Sequence, residues 1–373
     1  MVTASTQDLF AFGDEFGPAK IVHLHTPSVG LRAIVVIDNT ASGPAIGGTR
    51  MAPDVSVTEC FRLARAMTLK NAACGLRHGG AKSVIFGDPG MPLEAKEKLI
   101  RAFAAGIKSL TDYIPGPDMG TDETAMAWVH DEIGRAVGLP AEMGGIPLNE
   151  IGATGFGVAV AAQVAMSFIG RSLGDSRVVL QGFGAVGEHA ARFLASKGAR
   201  LVGVADIAGA IANPEGLDIE ALATLKRSGK SVIEYRPARL IDGDALVAVP
   251  CDIWIPAARP DVLRADNVDR LDCRIVVQGA NVPVTREAEL RMFERGVVSI
   301  PDFIANAGGV ICGAVEFGGG VQSAALSIIA ERIERNTRLT LACAHEMRTP
   351  PVVAATKIAL DRLRKAMSLR RWR

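Results

Sequence analysis

Two lysines in one stretch are the side chains best set to do chemistry. Lys70 and Lys82 lie twelve positions apart (82 − 70) in Met67-Thr-Leu-Lys-Asn-Ala-Ala-Cys-Gly-Leu-Arg-His-Gly-Gly-Ala-Lys82. Lys70 closes a helical run, 59–70, that carries Phe61, Leu63, Ala64, Ala66 and Met67. Lys82 follows an expected turn, His78-Gly79-Gly80-Ala81, and precedes an apolar strand at 83–86. Poor solvation disfavours an ammonium and so prepares a lysine to act as a base near neutral pH. The competing reading makes both lysines solvated loop ends, since most lysines are surface residues.

The elements that must position them follow from pattern. Strands are expected at 20–25 and 31–38, with Pro27 and Gly30 turning between them. A glycine-dense segment, 43–51, joins strand to strand, and 92–110 reads as a helix. Residues 113–122 form a Pro/Gly loop holding Asp118 and Asp122, and 124–137 is helical. The irregular stretch after Gly138 supplies a hinge at 141–153.

A second constellation follows. The strand 177–181 runs into Gly182-Phe-Gly184-Ala185-Val186-Gly187, then a helix at 188–196, then a strand 200–206 ending in Asp206, nineteen residues beyond Gly187 (206 − 187). A G-x-G-x-x-G between strand and helix, with an acid closing the next strand, is a dinucleotide-binding fingerprint. Its glycines permit a tight turn, close approach to a pyrophosphate and close helix packing, and the helix N-terminus offers N–H groups to phosphate. Asp206 is expected to accept from both ribose hydroxyls, favouring NAD over NADP; the competing reading uses the glycines for packing alone. Further strands at 252–256, 273–281 and 297–302 end in loops that should face the cofactor. Two long helical patterns, broken near Pro350-Pro351, close the chain.

Composition narrows the class. The 373 residues are 49% hydrophobic and 22% charged, which fits a globular chain of about two domains. Forty-one basic against forty acidic residues favours neither nucleic acid nor a membrane surface. Cys60, Cys74, Cys251, Cys273, Cys312 and Cys343 form no C-x-x-C pair, which suits a reducing cytoplasm and argues against a disulfide framework or a structural zinc site; no metal is expected. The start shows no secretory pattern, and no run of 18 apolar residues suggests a membrane span.

Taken together, the motifs resemble the glutamate/leucine/phenylalanine/valine dehydrogenase family over nearly the whole length. They are G-P-A-I-G-G-T-R-M (43–51), M-T-L-K-N-A-A (67–73), H-G-G-A-K (78–82), G-P-D-M-G-T (116–121), A-T-G-F-G-V (153–158), G-F-G-A-V-G, I-P-A-A (255–258), Q-G-A-N (278–281) and N-A-G-G-V (306–310). The resemblance implies an α/β chain of two domains with a cleft between them. An N-terminal α/β substrate and oligomerisation domain (1–140) would be joined by a C-terminal helix (350–373), and a doubly wound Rossmann-like domain (154–349) would bind NAD. It implies reversible oxidative deamination of an L-amino acid to a 2-oxo acid and ammonia. It assigns Lys70 to the substrate α-carboxylate, Lys82 to activation of the attacking water, and Asp118 to proton relay. Thr154, Asn281 and Asn306 fall near nicotinamide and substrate, with loop capping as their alternative. Ala185, Val186, Ile207 and Ala257 are expected along the cofactor, and Gly47, Gly48, Met67 and Gly116 along the substrate. His78 is expected to be structural or to support the reacting groups from behind, and His23 and His25 have no role. The family forms homo-oligomers (dimers, hexamers or octamers).

For the substrate, glutamate-specific members have a lysine where this chain has Ile46 and a serine where it has Gly313. Burying a carboxylate against isoleucine would cost several kcal/mol. An apolar, branched-chain or aromatic amino acid is therefore expected, with Gly313 suggesting a roomier pocket. The alternatives are a glutamate dehydrogenase with a non-standard γ-carboxylate site, such as an arginine elsewhere, and a catalytically silent nicotinamide-binding protein. The chain is also a mosaic: 43–82 resembles leucine dehydrogenase, while 116–128 and 206–218 resemble glutamate dehydrogenase.

Overall fold

The computed structural model describes residues 11–371. The chain divides into two compact units. One takes in the chain up to Pro147, Gly313–Gln322 and the chain from Ala359; the other is Leu148–Cys312 with Ser323–Ile358.

The first unit begins β1 (Lys20–Thr26), β2 (Leu31–Asn39), β3 (Ala45–Ala52), α1 (Val57–Ala73), β4 (Gly79–Phe86), α2 (Leu93–Gly106), β5 (Tyr113–Pro117) and α3 (Glu123–Ile133). Its sheet has the order β1-β2-β4-β3-β5. β1, β2 and β4 pair antiparallel, and β4, β3 and β5 pair parallel. Both faces are covered, so β2 reads as an almost unbroken apolar run. Leu31, Ala33, Val35 and Ile37 pack with Leu99 and Phe103 of α2 and Met126 and Val129 of α3. Ile34 and Val36, on the other face, pack with Cys60 and Ala64 of α1. The Ser56 hydroxyl caps α1 by accepting from the Glu59 N–H at 3.1 Å. Asp122 caps α3 in the same way, from Ala125 at 2.9 Å.

Three expectations change here. Residues 45–52 are a strand rather than a joining segment, and 113–117 are a strand rather than a loop. Gly79-Gly80-Ala81-Lys82 belongs to β4 and is not a turn. Its glycines serve clearance: a Cβ on Gly80 would overlap the Thr68 backbone of α1. The bare glycine lets the helix seat directly on the sheet.

The second unit contains α4 (Ala153–Phe168), β6 (Arg177–Gln181), α5 (Ala185–Ala195), β7 (Arg200–Asp206), β8 (Gly209–Ala212), α6 (Ile219–Arg227), β9 (Arg239–Ile241), β10 (Ile253–Pro256), β11 (Ile275–Val277), α7 (Arg286–Glu294), β12 (Val298–Ile300) and α8 (Asp302–Ala305). The chain then forms α9 (Gly308–Phe317), α10 (Gln322–Met347) and α11 (Pro351–Ser368), passing from one unit to the other within α9, near Gln322 and within α11. The sheet order is β12-β11-β10-β6-β7-β8-β9. Strands β12 to β7 run parallel, and β8 and β9 add antiparallel to one edge. The strand order reverses at β6, whose parallel neighbours are β7 and β10. That is the switch point where a doubly wound sheet opens a crevice beyond its carboxyl ends. All six cysteines are free.

Candidate active site and dinucleotide site

Lys82 stands in the middle of β4, opposite Val36 of β2, and is only 6% exposed. Asp118 follows directly on β5. Because β3 lies between β4 and β5, the two side chains meet across Gly48 and form an ion pair. A Cβ on Gly48 would lie 2.9 Å from the Asp118 Cβ and 3.2 Å from Lys82 Nζ. Glycine at 48 is thus what lets the pair close.

Burial pushes the Asp118 carboxyl up, but the facing Lys82 ammonium, the Arg50 guanidinium and the Met119 N–H outweigh it and hold it below the usual carboxylate range. Arg50 Nη2 stands 3.6 Å from Asp118 Oδ1, and its Nη1 donates to Glu59 at 2.6 Å. The sequence reading missed Arg50. The signal was available, since Gly48 and Arg50 are two apart on one strand and share a face. The Thr121 hydroxyl accepts from the Asp118 N–H at 3.0 Å and donates to the Thr49 carbonyl at 2.8 Å, fixing the loop to β3. Below, the buried hydroxyls of Tyr113, Ser83 and Thr49 bond one another, with Tyr113 2.8 Å from Ser83.

Lys70 lies half-buried in the last turn of α1, three residues after the half-buried Met67. The Asn71 amide donates to the Gly79 carbonyl at 2.7 Å, pinning that turn to β4. His78 contacts the Pro44 carbonyl through Nδ1 at 3.1 Å and packs edge-on to Phe317. Burial pulls its pKa down. It holds the β3 entry and is not aimed at the pair.

Ile46, Ile114 and Val137 form a buried apolar wall with Ala314 packed on it. Gly116 and Gly313 both face Val137: a Cβ on either would lie 3.1 Å or 3.5 Å from its Cγ2. Val137, a residue the sequence reading did not single out, thus stands against the space that Gly313 leaves open. A short distance on, the Glu316 carboxylate accepts from the Leu139 and Ile146 N–H groups at 3.1 and 3.0 Å.

In the second unit, the three fingerprint glycines have three different reasons. Gly182 has φ +111°, and a Cβ there would lie 2.7 Å from the Ala258 Cβ. A Cβ on Gly187 would overlap the Gly182 carbonyl. Gly184, the residue before α5, has nothing within 4 Å of its Cβ position and no side-chain cap. The N–H groups of Ala185 and Val186 open the helix there. The Ala257 N–H donates to the Gln181 carbonyl at 2.7 Å, and Ile207 is fully exposed.

Asn306 is buried and donates to the carbonyls of Gly279 and Ala280 and to Asn281 Oδ1, at 3.3, 3.1 and 3.1 Å. Its own Oδ1 has no partner among the described residues. Thr154 opens α4, where a Cβ on Gly309 would come 3.2 Å from its hydroxyl. An open cradle at Gly184 and an orphaned buried acceptor at Asn306 fit a dinucleotide with a carboxamide end.

Asp206 departs from expectation. Its carboxylate accepts from the Ala208 N–H (2.9 Å), the Ser231 hydroxyl (2.8 Å), the Val232 N–H (3.0 Å) and Lys226 Nζ (2.9 Å). Burial pushes its pKa up, but these donors, Lys226 foremost, hold it below the usual range. The ribose-accepting role assumed a free carboxylate, and this one is filled. Among the described residues no group of three or more His, Cys, Asp or Glu is placed to hold a metal, and no helix is long and apolar enough to cross a membrane.

A switch-point fingerprint in one unit and a buried lysine–aspartate pair in the other mark the class of nicotinamide-dependent dehydrogenases that act on amino acids. The chain matches the Glutamate/Leucine/Phenylalanine/Valine dehydrogenase family over residues 144–371 and that family's dimerisation domain over 18–135, and it belongs to this family. Glutamate dehydrogenase of Aeropyrum pernix is 36% identical over 358 residues, covering 90% of this chain and 85% of the relative. NADP(+)-dependent glutamate dehydrogenase of Pyrobaculum calidifontis is 38% identical over 297 residues, covering 75% and 70%. Among solved structures, hetero-hexameric glutamate dehydrogenase from Thermus thermophilus, in a leucine-bound form, superposes with a TM-score of 0.84 at 28% identity, covering 94% of this chain and 90% of that one.

Proposed function

We propose that the chain catalyses the reversible oxidative deamination of an L-amino acid to its 2-oxo acid and ammonia, with glutamate the leading substrate. The buried Lys82–Asp118 pair carries the reaction type. The names of the relatives support glutamate over the apolar substrate that Ile46 and Gly313 led us to expect. When bound, the nicotinamide supplies the hydride acceptor for the substrate carbon. The chain's own residues do the rest. Lys70 holds the α-carboxylate as a compact ammonium donor. Lys82 Nζ passes its ammonium proton to Asp118 and then takes one from the water that attacks the imino carbon, and Asp118 hands its proton on to the departing nitrogen. Arg50 keeps Asp118 ionised between turnovers. Gly48 leaves room at the pair, and Gly47, Met67 and Gly116 are taken to lie along the substrate, although the bare Cα of Gly47 faces the Ala81 backbone and that of Gly116 faces Val137.

The second reading, an apolar amino acid, is favoured by the wall of Ile46, Ile114, Val137 and Ala314. A γ-carboxylate laid against it without a partner would cost several kcal/mol. The first unit is taken as the substrate and oligomerisation part and the second as the dinucleotide part, with Thr154, Asn281, Asn306 and Ala257 near the nicotinamide. The dimerisation-domain match and the hetero-hexameric relative support an oligomer, and one of identical chains is the form proposed. Six free thiols are consistent with a cytoplasmic setting.

The test is nicotinamide absorbance with purified protein, NAD or NADP, and L-glutamate, leucine, valine, phenylalanine and tryptophan. Glutamate turned over best supports the leading reading. Glutamate silent beside an active apolar member replaces it with the second. No turnover by a protein that binds reduced coenzyme makes it a catalytically silent binder.

A further inference from the structure

A cavity of about 700 Å³ runs along the carboxyl edge of the second sheet, from Gly184 past Asp206 to Lys226, Arg259 and Arg264. Asp206 should give this cavity its choice of coenzyme, because a free acid there accepts ribose hydroxyls and repels a 2′-phosphate. Its surroundings remove both abilities. A carboxylate offers about four acceptor positions. Ala208 and Ser231 fill two on Oδ1, and Val232 and Lys226 fill two on Oδ2. The Asp206 side chain is 5% exposed, so solvent adds nothing, whereas Lys226 is 29% exposed and lines the cavity. An ammonium has three N–H donors, and the bond to Asp206 occupies one. The acid's charge is balanced and a cation faces the space beside it.

We infer that Lys226 sets the coenzyme choice of this chain, making the site accept a 2′-phosphorylated nicotinamide dinucleotide as well as the unphosphorylated one. Asp206 acts as a staple between the β7–β8 turn and the segment at Ser231-Val232, and Lys226 meets the 2′-phosphate. The inference rests on the dinucleotide reading above and replaces the NAD preference drawn from Asp206 alone.

Titration calorimetry on the full chain tests it, with NADH, NADPH and the fragments 5′-AMP and 2′,5′-ADP. NADPH should bind within about tenfold of NADH, and 2′,5′-ADP more tightly than 5′-AMP. Lys226→Gln keeps a donor for Asp206 but removes the charge. It should weaken NADPH and 2′,5′-ADP by about tenfold and leave NADH within about threefold. Lys226→Arg should restore both. NADH binding with NADPH more than about a hundredfold weaker overturns the inference. So does a Lys226→Gln variant that weakens both coenzymes equally, since that is the mark of a merely structural lysine. Failure to bind either coenzyme is a distinct result, which overturns the dinucleotide reading and this inference with it.

Discussion

Replacing Gly48 by alanine would plant a methyl group against both members of the Lys82–Asp118 pair. The new Cβ would lie 2.9 Å from the Asp118 Cβ, 3.0 Å from the Pro117 carbonyl oxygen and 3.2 Å from Lys82 Nζ. Carbon atoms rest at about 3.5–4.0 Å, so Asp118 must retreat by roughly 0.5–1 Å. Overpacking of this kind costs about 1–3 kcal/mol, which a domain stable by about 5–15 kcal/mol withstands. A shift near 1 Å at the reacting groups costs about a hundredfold in rate. The expected outcome is a folded protein, by far-UV circular dichroism and a melt lowered by several degrees, whose kcat falls about a hundredfold. Gly47→Ala is the contrasting control. Its Cβ would overlap the Ala81 carbonyl, pushing β3 from β4, and it should fail to yield folded protein. A Gly48→Ala protein with parental turnover would refute the placement of the chemistry at this pair.

Other outcomes follow from the same structure. Burial raises the Glu289 carboxyl from its ordinary 4.5 to about 7, and its bonds from Gln278 and Ser299 only partly offset this. The unfolded chain releases that proton near 4.5 and the folded chain keeps it, so stability should fall from about pH 4.5 to 7 and level off above. The full loss is roughly 3 kcal/mol, and urea melts of Glu289→Gln should lack that slope. Arg50→Met removes a charge that helps hold Asp118 ionised, so the acid limb of the pH–rate profile should move to higher pH; an unmoved limb would mean Arg50 does not act on Asp118. Ile46→Lys places an ammonium in the apolar wall and should lower the KM for glutamate at least about tenfold while weakening leucine. Arg362 donates to the Ala72 and Ala73 carbonyls at the end of α1, and Arg362→Met should cost about 1–3 kcal/mol in denaturant melts.

What was legible in the sequence was what is local. The fingerprint binds its strand, glycines and helix into one short run, and β6, the turn and α5 follow it. The 113–117 segment read as a loop because of Pro115, Gly116 and Pro117, yet it is β5. A strand at the edge of its sheet has one ladder to satisfy, so prolines are tolerated there. Gly79 and Gly80 read as a turn because glycine usually marks one, whereas here Gly80 clears space for α1 and Gly79 for the Asn39 backbone. Lys226 carried no signal: it reaches Asp206 from the last turn of α6 only through the fold. Val137 was hidden likewise, since its contact with Gly116 and Gly313 joins segments far apart in the chain. The reaction type rested on Lys82 and Asp118, which the sheet order brings together. The substrate rested on Ile46 and Gly313 alone, and the named relatives point the other way.

The seat of α1 on β4 has a consequence for how such a scaffold diversifies. Gly80 puts helix against strand with main chain touching main chain, so the spacing of Lys70 and Lys82 is inherited with the backbone. Ile46 and Ile114 are partners on paired strands, but the apolar wall they form with Val137 and Ala314 is made of side chains. On the proposed reading, a few exchanges among those four would retune which amino acid fits, while the main chain would keep the distance between the two lysines. Selectivity would then be written in replaceable side chains, and reactivity in the path of the chain.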